Sequence, residues 1–347
     1  MTHRARFPTM RYVLAALLGS MVLAALAAAQ DVATLDHSSP VAAYGGRLLW
    51  SAFDLATQTY GLVTRVGGTT SAVLVARRTV PFDADLGPSA DGSIVAVYSR
   101  CATEITPSGS FGPSLYGKGR GCDLYLFDFA TGHETRLASA SAPDASEFWP
   151  TIWKGTLAFA RTYDAKRDFP YVYTRPLQGS ARSTRQPGGP RSGCAKCDDK
   201  LSRPIALDLY GKRLAFAWQY IGTGEGFDTD IRMDTIGGAH VRVAHQGGGG
   251  LTHVEPGWPA FEAGQLYWAV GCFGDPGGCP GRYGLRRYRI STGTTERAPG
   301  PASVLSQDRD QSTTWILDDA QPGTVCMGDP AVPGGTCTLR GSQPTFG

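Results

Sequence analysis

Five times along the chain a glycine turn opens directly into a short β-prone run. Gly45-Gly46 leads into RLLWSAF, Asp91-Gly92 into SIVAVYSR, and Lys154-Gly155 into TLAFARTY. Tyr210-Gly211 leads into KRLAFAWQY and Ala263-Gly264 into QLYWAVGCF. A proline precedes each turn: Pro40, Pro88, Pro150, Pro204 and Pro259. A sixth, degenerate copy spans residues 306–319. The anchors recur at intervals of about 50 residues, the range of propeller and solenoid repeats.

The second half of each unit recurs too. Thr131-Gly132, Gly179-Ser180, Gly237-Gly238 and Thr292-Gly293 each sit between two extended runs, as hairpin turns do. Each unit therefore reads as four short strands. Helical periodicity is almost absent after residue 30. One small twisted sheet cannot cover both its faces, but blades stacked around an axis cover one another. The expected fold is all-β: a six-bladed β-propeller of four-stranded antiparallel blades. A β-sandwich of regular hairpins is the competing architecture. DVATL, residues 31–35, and CTLRGSQPTF near the C-terminus are both extended, so one terminus is expected to pair into the blade formed by the other.

The stretch PSADGSIVAVYSR, followed by DLYLFDFATGHETRL, resembles the repeat of TolB-like β-propellers. Ser89, Asp91 and Gly92, then Asp128, Thr131, Gly132, Arg136 and Leu137, carry the resemblance, with Ala90 where the pattern has proline. It is specific within residues 86–137 and architectural over the rest. It implies a six-bladed TolB-like ring and no particular partner, because one fold hosts many functions.

The first 29 residues read as a secretory signal. His3, Arg4, Arg6 and Arg11 precede an apolar stretch from Tyr12 to Leu26, and Ala27-Ala28-Ala29 supplies a cleavage site. A retained anchor is the alternative. Residues 30–347 then form one exported domain, secreted or periplasmic, with a monomer as its expected state. Eight cysteines agree with an oxidising compartment. Neighbours along the chain suggest structural disulfides Cys101–Cys122, Cys194–Cys197, Cys272–Cys279 and Cys326–Cys337, although eight cysteines allow 105 pairings. The net charge of +3 argues against a nucleic-acid partner.

No G-x-S-x-G elbow and no Gly-rich phosphate loop opening a helix is present, so no catalytic residue is assigned. In a propeller the first strand of each blade lines the channel. Polar and aromatic residues near the anchor prolines are thus the candidates for a ligand at the mouth: His37, Asp83, Asp85, Glu147, Trp149, Arg203, Glu255, Trp258, Asp308 and Asp310. Asp85, Glu147 and Glu255 have the oxygen donors a hard cation such as Ca²⁺ takes, while no other cofactor is expected. The plainer role for these side chains is to cap backbone donors or face solvent. Three readings remain: a binding module for a protein, peptide or envelope ligand; a hydrolase or lyase with a cation-assisted acidic site; and a structural envelope component. Loops held by disulfides, above all 102–121, are the expected recognition surface.

Overall fold

The computed structural model describes residues 30–35, 41–104, 119–163, 167–186, 203–221, 227–246, 253–256, 259–273, 284–298, 304–307, 314–319, 337–342 and 346. The signal segment lies outside them. So do His37, Trp258, Asp308 and Asp310, and Cys194, Cys197, Cys279 and Cys326.

Twenty-five strands follow one another with no helix among the described residues. The first is β1 (Gln30–Leu35). The next four are β2 (Val41–Tyr44), β3 (Arg47–Asp54), β4 (Thr59–Val66) and β5 (Thr69–Ala72), which form one antiparallel sheet in chain order. The second sheet is β6 (Asp85–Pro88), β7 (Ile94–Glu104), β8 (Gly119–Asp128) and β9 (His133–Arg136). The third is β10 (Ala145–Trp153), β11 (Thr156–Tyr163), β12 (Arg167–Pro176) and β13 (Thr184–Arg185). The fourth is β14 (Arg203–Tyr210), β15 (Arg213–Ile221), β16 (Phe227–Thr235) and β17 (His240–Gln246). The fifth contains β18 (His253–Pro256), β19 (Ala260–Glu262), β20 (Gln265–Phe273), β21 (Gly284–Arg289) and β22 (Thr294–Ala298). The last joins β23 (Val304–Gln307), β24 (Thr314–Asp319) and β25 (Cys337–Ser342) to β1, in the order β1-β25-β24-β23.

These sheets are the blades of a β-propeller. Their first strands touch in sequence, β2 to β6, β10, β14, β19 and β23, and β23 returns to β2. The expected four-stranded blade is met in five sheets. The remaining sheet has five strands because its first strand is interrupted: β18 and β19 both pair with β20, and Gly257 to Pro259 lie between them. The same interruption is milder in two earlier blades. The register slips between Phe148 and Thr151 in β10, and between Ile205 and Asp208 in β14. Trp149 and Ala206 take up those slips at φ +52° and +50°. A left-handed backbone at a residue as bulky as Trp persists only where its surroundings hold it there.

The anchor glycines are turns, as expected. Gly92 sits at φ +89°, and the Oδ1 of Asp91 accepts the Ser93 N–H at 3.0 Å. Gly155 has φ +73°, and a Cβ there would stand 2.8 Å from the Cβ of Ala90 in the blade before, so glycine is required twice over.

Apolar seams fill the spaces between blades. Leu62, Phe82, Leu86 and Tyr98 pack between the first and second blades; Val97, Ile152, Leu157 and Phe159 pack between the second and third. Ala215, Phe216, Ala217 and Trp218 are all buried, and this alternation of small and large side chains lets neighbouring faces interlock. The ring closes through the termini. Antiparallel pairing joins Gln30 to Gly341 and Leu35 to Cys337, which covers the edge of β25 and gives the last blade its fourth strand from the other end of the chain. Cys101 and Cys122 are directly opposed across β7 and β8 and are disulfide-bonded.

Candidate binding cleft and channel mouth

The residues expected at the channel mouth divide by register. Asp83 meets Ser99 and Glu147 is opposite Arg161, in each case four residues beyond the first buried aliphatic of the second strand, Val95 or Leu157. In the next two blades that position is opposite Pro204 and Pro256; Arg203 and Glu255 pair one residue farther along, with Gln219 and Gly271. The structure therefore brings Asp83 and Glu147 to matching places and sets Arg203 and Glu255 off by one.

Asp83 and Asp85 tie blades together. Asp83 is 2% exposed. Its Oδ1 accepts the Ser99 N–H at 2.8 Å, and its Oδ2 accepts the Ser99 hydroxyl at 2.6 Å and the Trp149 N–H at 2.8 Å. The Oδ2 of Asp85 accepts the Thr151 hydroxyl at 2.7 Å and the Ile152 N–H at 3.2 Å. Thr151 Oγ1 in turn accepts the Leu209 N–H at 2.9 Å, and Asp208 Oδ2 accepts the Phe261 N–H at 2.5 Å. A side chain on one first strand thus satisfies a main-chain donor on the next, from the second blade through to the fifth. The Trp149 amide lies in a register slip, and the others lie on strands with no partner strand on one side; an unpaired buried N–H is costly. Trp149, read from sequence as half of an aromatic mouth, is 5% exposed and packs in the core.

Glu147 is fully buried. Its Oε1 accepts the Arg161 Nε–H at 2.7 Å and the Ala142 N–H at 3.1 Å, while Oε2 has no partner. Burial pushes its carboxyl up to about 7, against the pull of the Arg161 guanidinium. Among the described residues no three His, Cys, Asp or Glu side chains gather as they would around a metal ion.

At the other end of the first strands, aromatic rings pack against one another across blades. Tyr44, Trp153 and Tyr210 end the first strands of three blades. The rings of Tyr44 and Trp153 lie edge-on with centroids 5.8 Å apart, and those of Trp153 and Tyr210 are 4.4 Å apart. Tyr44 and Trp153 stand immediately before their anchor turns and Tyr210 begins its own, which is the signal that could have found them.

A cleft of about 400 Å³ opens between the first and second blades. Thr59, Arg77, Arg78 and Thr79 line one side, and Arg100, Cys101, Ala102 and Glu104 the other. The chain leaving β5 returns along the edge of β4, where Tyr60 and Arg78 exchange backbone hydrogen bonds at 2.7 and 3.0 Å. That bridge fixes Arg78 under the β7–β8 hairpin. Arg78 donates from Nε to Glu104 at 2.6 Å and from Nη1 to the Ser99 carbonyl at 2.7 Å, and its Nη1 lies 3.7 Å from Asp83. Glu104 Oε2 also accepts from the Thr79 N–H and hydroxyl. Burial raises the Glu104 carboxyl, but Arg78 and the Thr79 and Arg78 hydrogen bonds outweigh it and hold the group below the usual range. Arg100 donates to Glu134 at 3.1 Å and stacks over Tyr125 at 4.9 Å. The Nη2 groups of Arg78 and Arg100 are both buried without a hydrogen-bond partner. Sequence pattern alone does not reveal this cleft, because Arg77 and Arg78 lie in a connection whose neighbours are set by the ring.

Solved structures share this fold. TolB from Acinetobacter baumannii superposes with a TM-score of 0.50 at 14% identity, over 87% of this chain and 67% of that one. The α-L-arabinanase of Penicillium chrysogenum, complexed with arabinobiose, gives 0.50 at 9% identity, over 90% of this chain and 98% of that one. No protein-family model and no curated protein matches the sequence. At such identities the likeness establishes the TolB-like propeller architecture.

Proposed function

We propose that this chain is an exported binding module, a six-bladed propeller in which the five-stranded sheet counts as a blade with a divided first strand. It engages a protein, peptide or envelope ligand through the face that carries the β7–β8 hairpin. The observation that carries this reading is the cleft at the base of that hairpin, lined by three arginines and pinned by Cys101–Cys122. Two strands cross-linked by Cys101–Cys122 on a packed ring present their surface at little ordering cost. Two of the acidic side chains that a hydrolytic site would draw on, Asp83 and Asp85, accept hydrogen bonds from the neighbouring blade, which favours binding over catalysis.

The test replaces residues 105–118 with a short Gly-Ser linker, leaving Cys101 and Cys122 in place, and compares photo-crosslinking in envelope extract. Native protein should capture one dominant partner and the variant should lose it. Equal capture by both, or none by either, overturns the proposal.

A further inference from the structure

We propose that the cleft between the first two blades binds the carboxylate of an organic ligand; this rests on the reading of the propeller as a binding module and names the chemistry it recognises. Three guanidiniums line the cleft against one carboxylate, Glu104. Each guanidinium already faces an acid: Arg77 faces Asp54, Arg78 faces Glu104, and Arg100 faces Glu134. Two of them still keep an unbonded Nη2. Arg78, with its side chain 2% exposed, forms the floor, and Arg100, at 22%, forms the wall through which a ligand enters.

The charge balance selects the ligand. A guanidinium edge matches a two-oxygen carboxylate in plane and in spacing. With Glu104 in the lining, Asp54 and Glu134 behind it and Asp83 3.7 Å from Arg78, the three guanidinium charges are already matched, so the unused Nη2 donors suit a ligand of at most one negative charge. A phosphate dianion would meet Glu104 without a free cation to offset the repulsion. The volume, about 400 Å³, holds a group of two or three residues of peptide or sugar. The chemistry common to a peptide C-terminus and an acidic sugar is the carboxylate, and the two sources are separated by experiment.

Residues 30–347 are titrated calorimetrically with triglycine, triglycine amide, digalacturonate, its methyl ester and inorganic phosphate. One of the two carboxylate probes should bind at least about tenfold tighter than its neutral counterpart and tighter than phosphate. Arg100→Gln should weaken that probe by about tenfold or more while the thermal midpoint stays close to that of the native protein. Arg77→Gln, at a half-exposed side chain, provides a second folded variant with a smaller loss. Triglycine winning identifies a peptide terminus; digalacturonate winning identifies an acidic sugar. The proposal is overturned if neither carboxylate binds, if acid and neutral forms bind alike, if phosphate binds best, or if Arg100→Gln has no effect. Partner capture that survives Arg100→Gln but is lost with the linker variant would sink the carboxylate site and leave the binding module standing.

Discussion

Asp83 reaches from the second blade to the third and accepts the backbone N–H of Trp149 at 2.8 Å. That amide is available only because Trp149 adopts a left-handed backbone at a register slip. The carboxylate and the distorted backbone sustain each other. Asp83→Ala leaves the Ser99 amide and hydroxyl and the Trp149 amide without their acceptor, beside the Arg78 charge. The expected loss is about 3–5 kcal/mol in denaturant unfolding. A loss under about 1 kcal/mol would show that the seam is held elsewhere.

Thr151 is a relay, donating to Asp85 and accepting from Leu209. Thr151→Val keeps the shape and breaks both bonds, so about 1–3 kcal/mol should be lost. Combined with Asp85→Ala, the two losses should fall short of additive by at least about 0.5 kcal/mol in a double-mutant cycle. Strict additivity would mean that the contact carries no coupling.

Glu147 makes stability depend on pH. Its folded carboxyl titrates at about 7 rather than 4.5, so between those values the native state holds a proton that the unfolded chain has released. The contribution is therefore greatest below the unfolded value and is lost as pH rises through about 7, by up to about 3 kcal/mol. Glu147→Gln should flatten the stability profile between about pH 5 and pH 8. An unchanged slope in chemical denaturation across that window would assign the titration to another group.

The Cys101–Cys122 bond closes a segment of 21 residues in separation. On loop-entropy grounds its removal by paired Cys→Ser substitution should cost about 3 kcal/mol, read as a lower denaturation midpoint. Protease cleavage within residues 105–118 should speed up in parallel.

The repeat was legible because its turn chemistry is local. Asp91-Gly92 and Lys154-Gly155 carry their turn signal in two adjacent residues, and DVATL and CTLRG have a strand-like pattern that their pairing in the last blade bears out. The relative placement of blades was not legible to the same degree. A slip of one residue in β10 and β14 decides which polar side chains share a level, and nothing in Phe148-Trp149-Pro150 or Ile205-Ala206-Leu207 shows that slip without the partner strand. For the same reason the pairing of Glu147 with Arg161 does not follow from sequence, although both flank one turn. Arg78 was beyond reach: its neighbours Ser99 and Glu104 are fixed by packing between two blades.

The closing sheet also orders events in time. β1 is the first described strand to be synthesised, yet its partner β25 lies more than three hundred residues later. Until β25 is made, β1 has no mate and β24 has an open flank. Loss of β25 would therefore act on two distant stretches of the chain at once, and its synthesis is the step that lets the ring close.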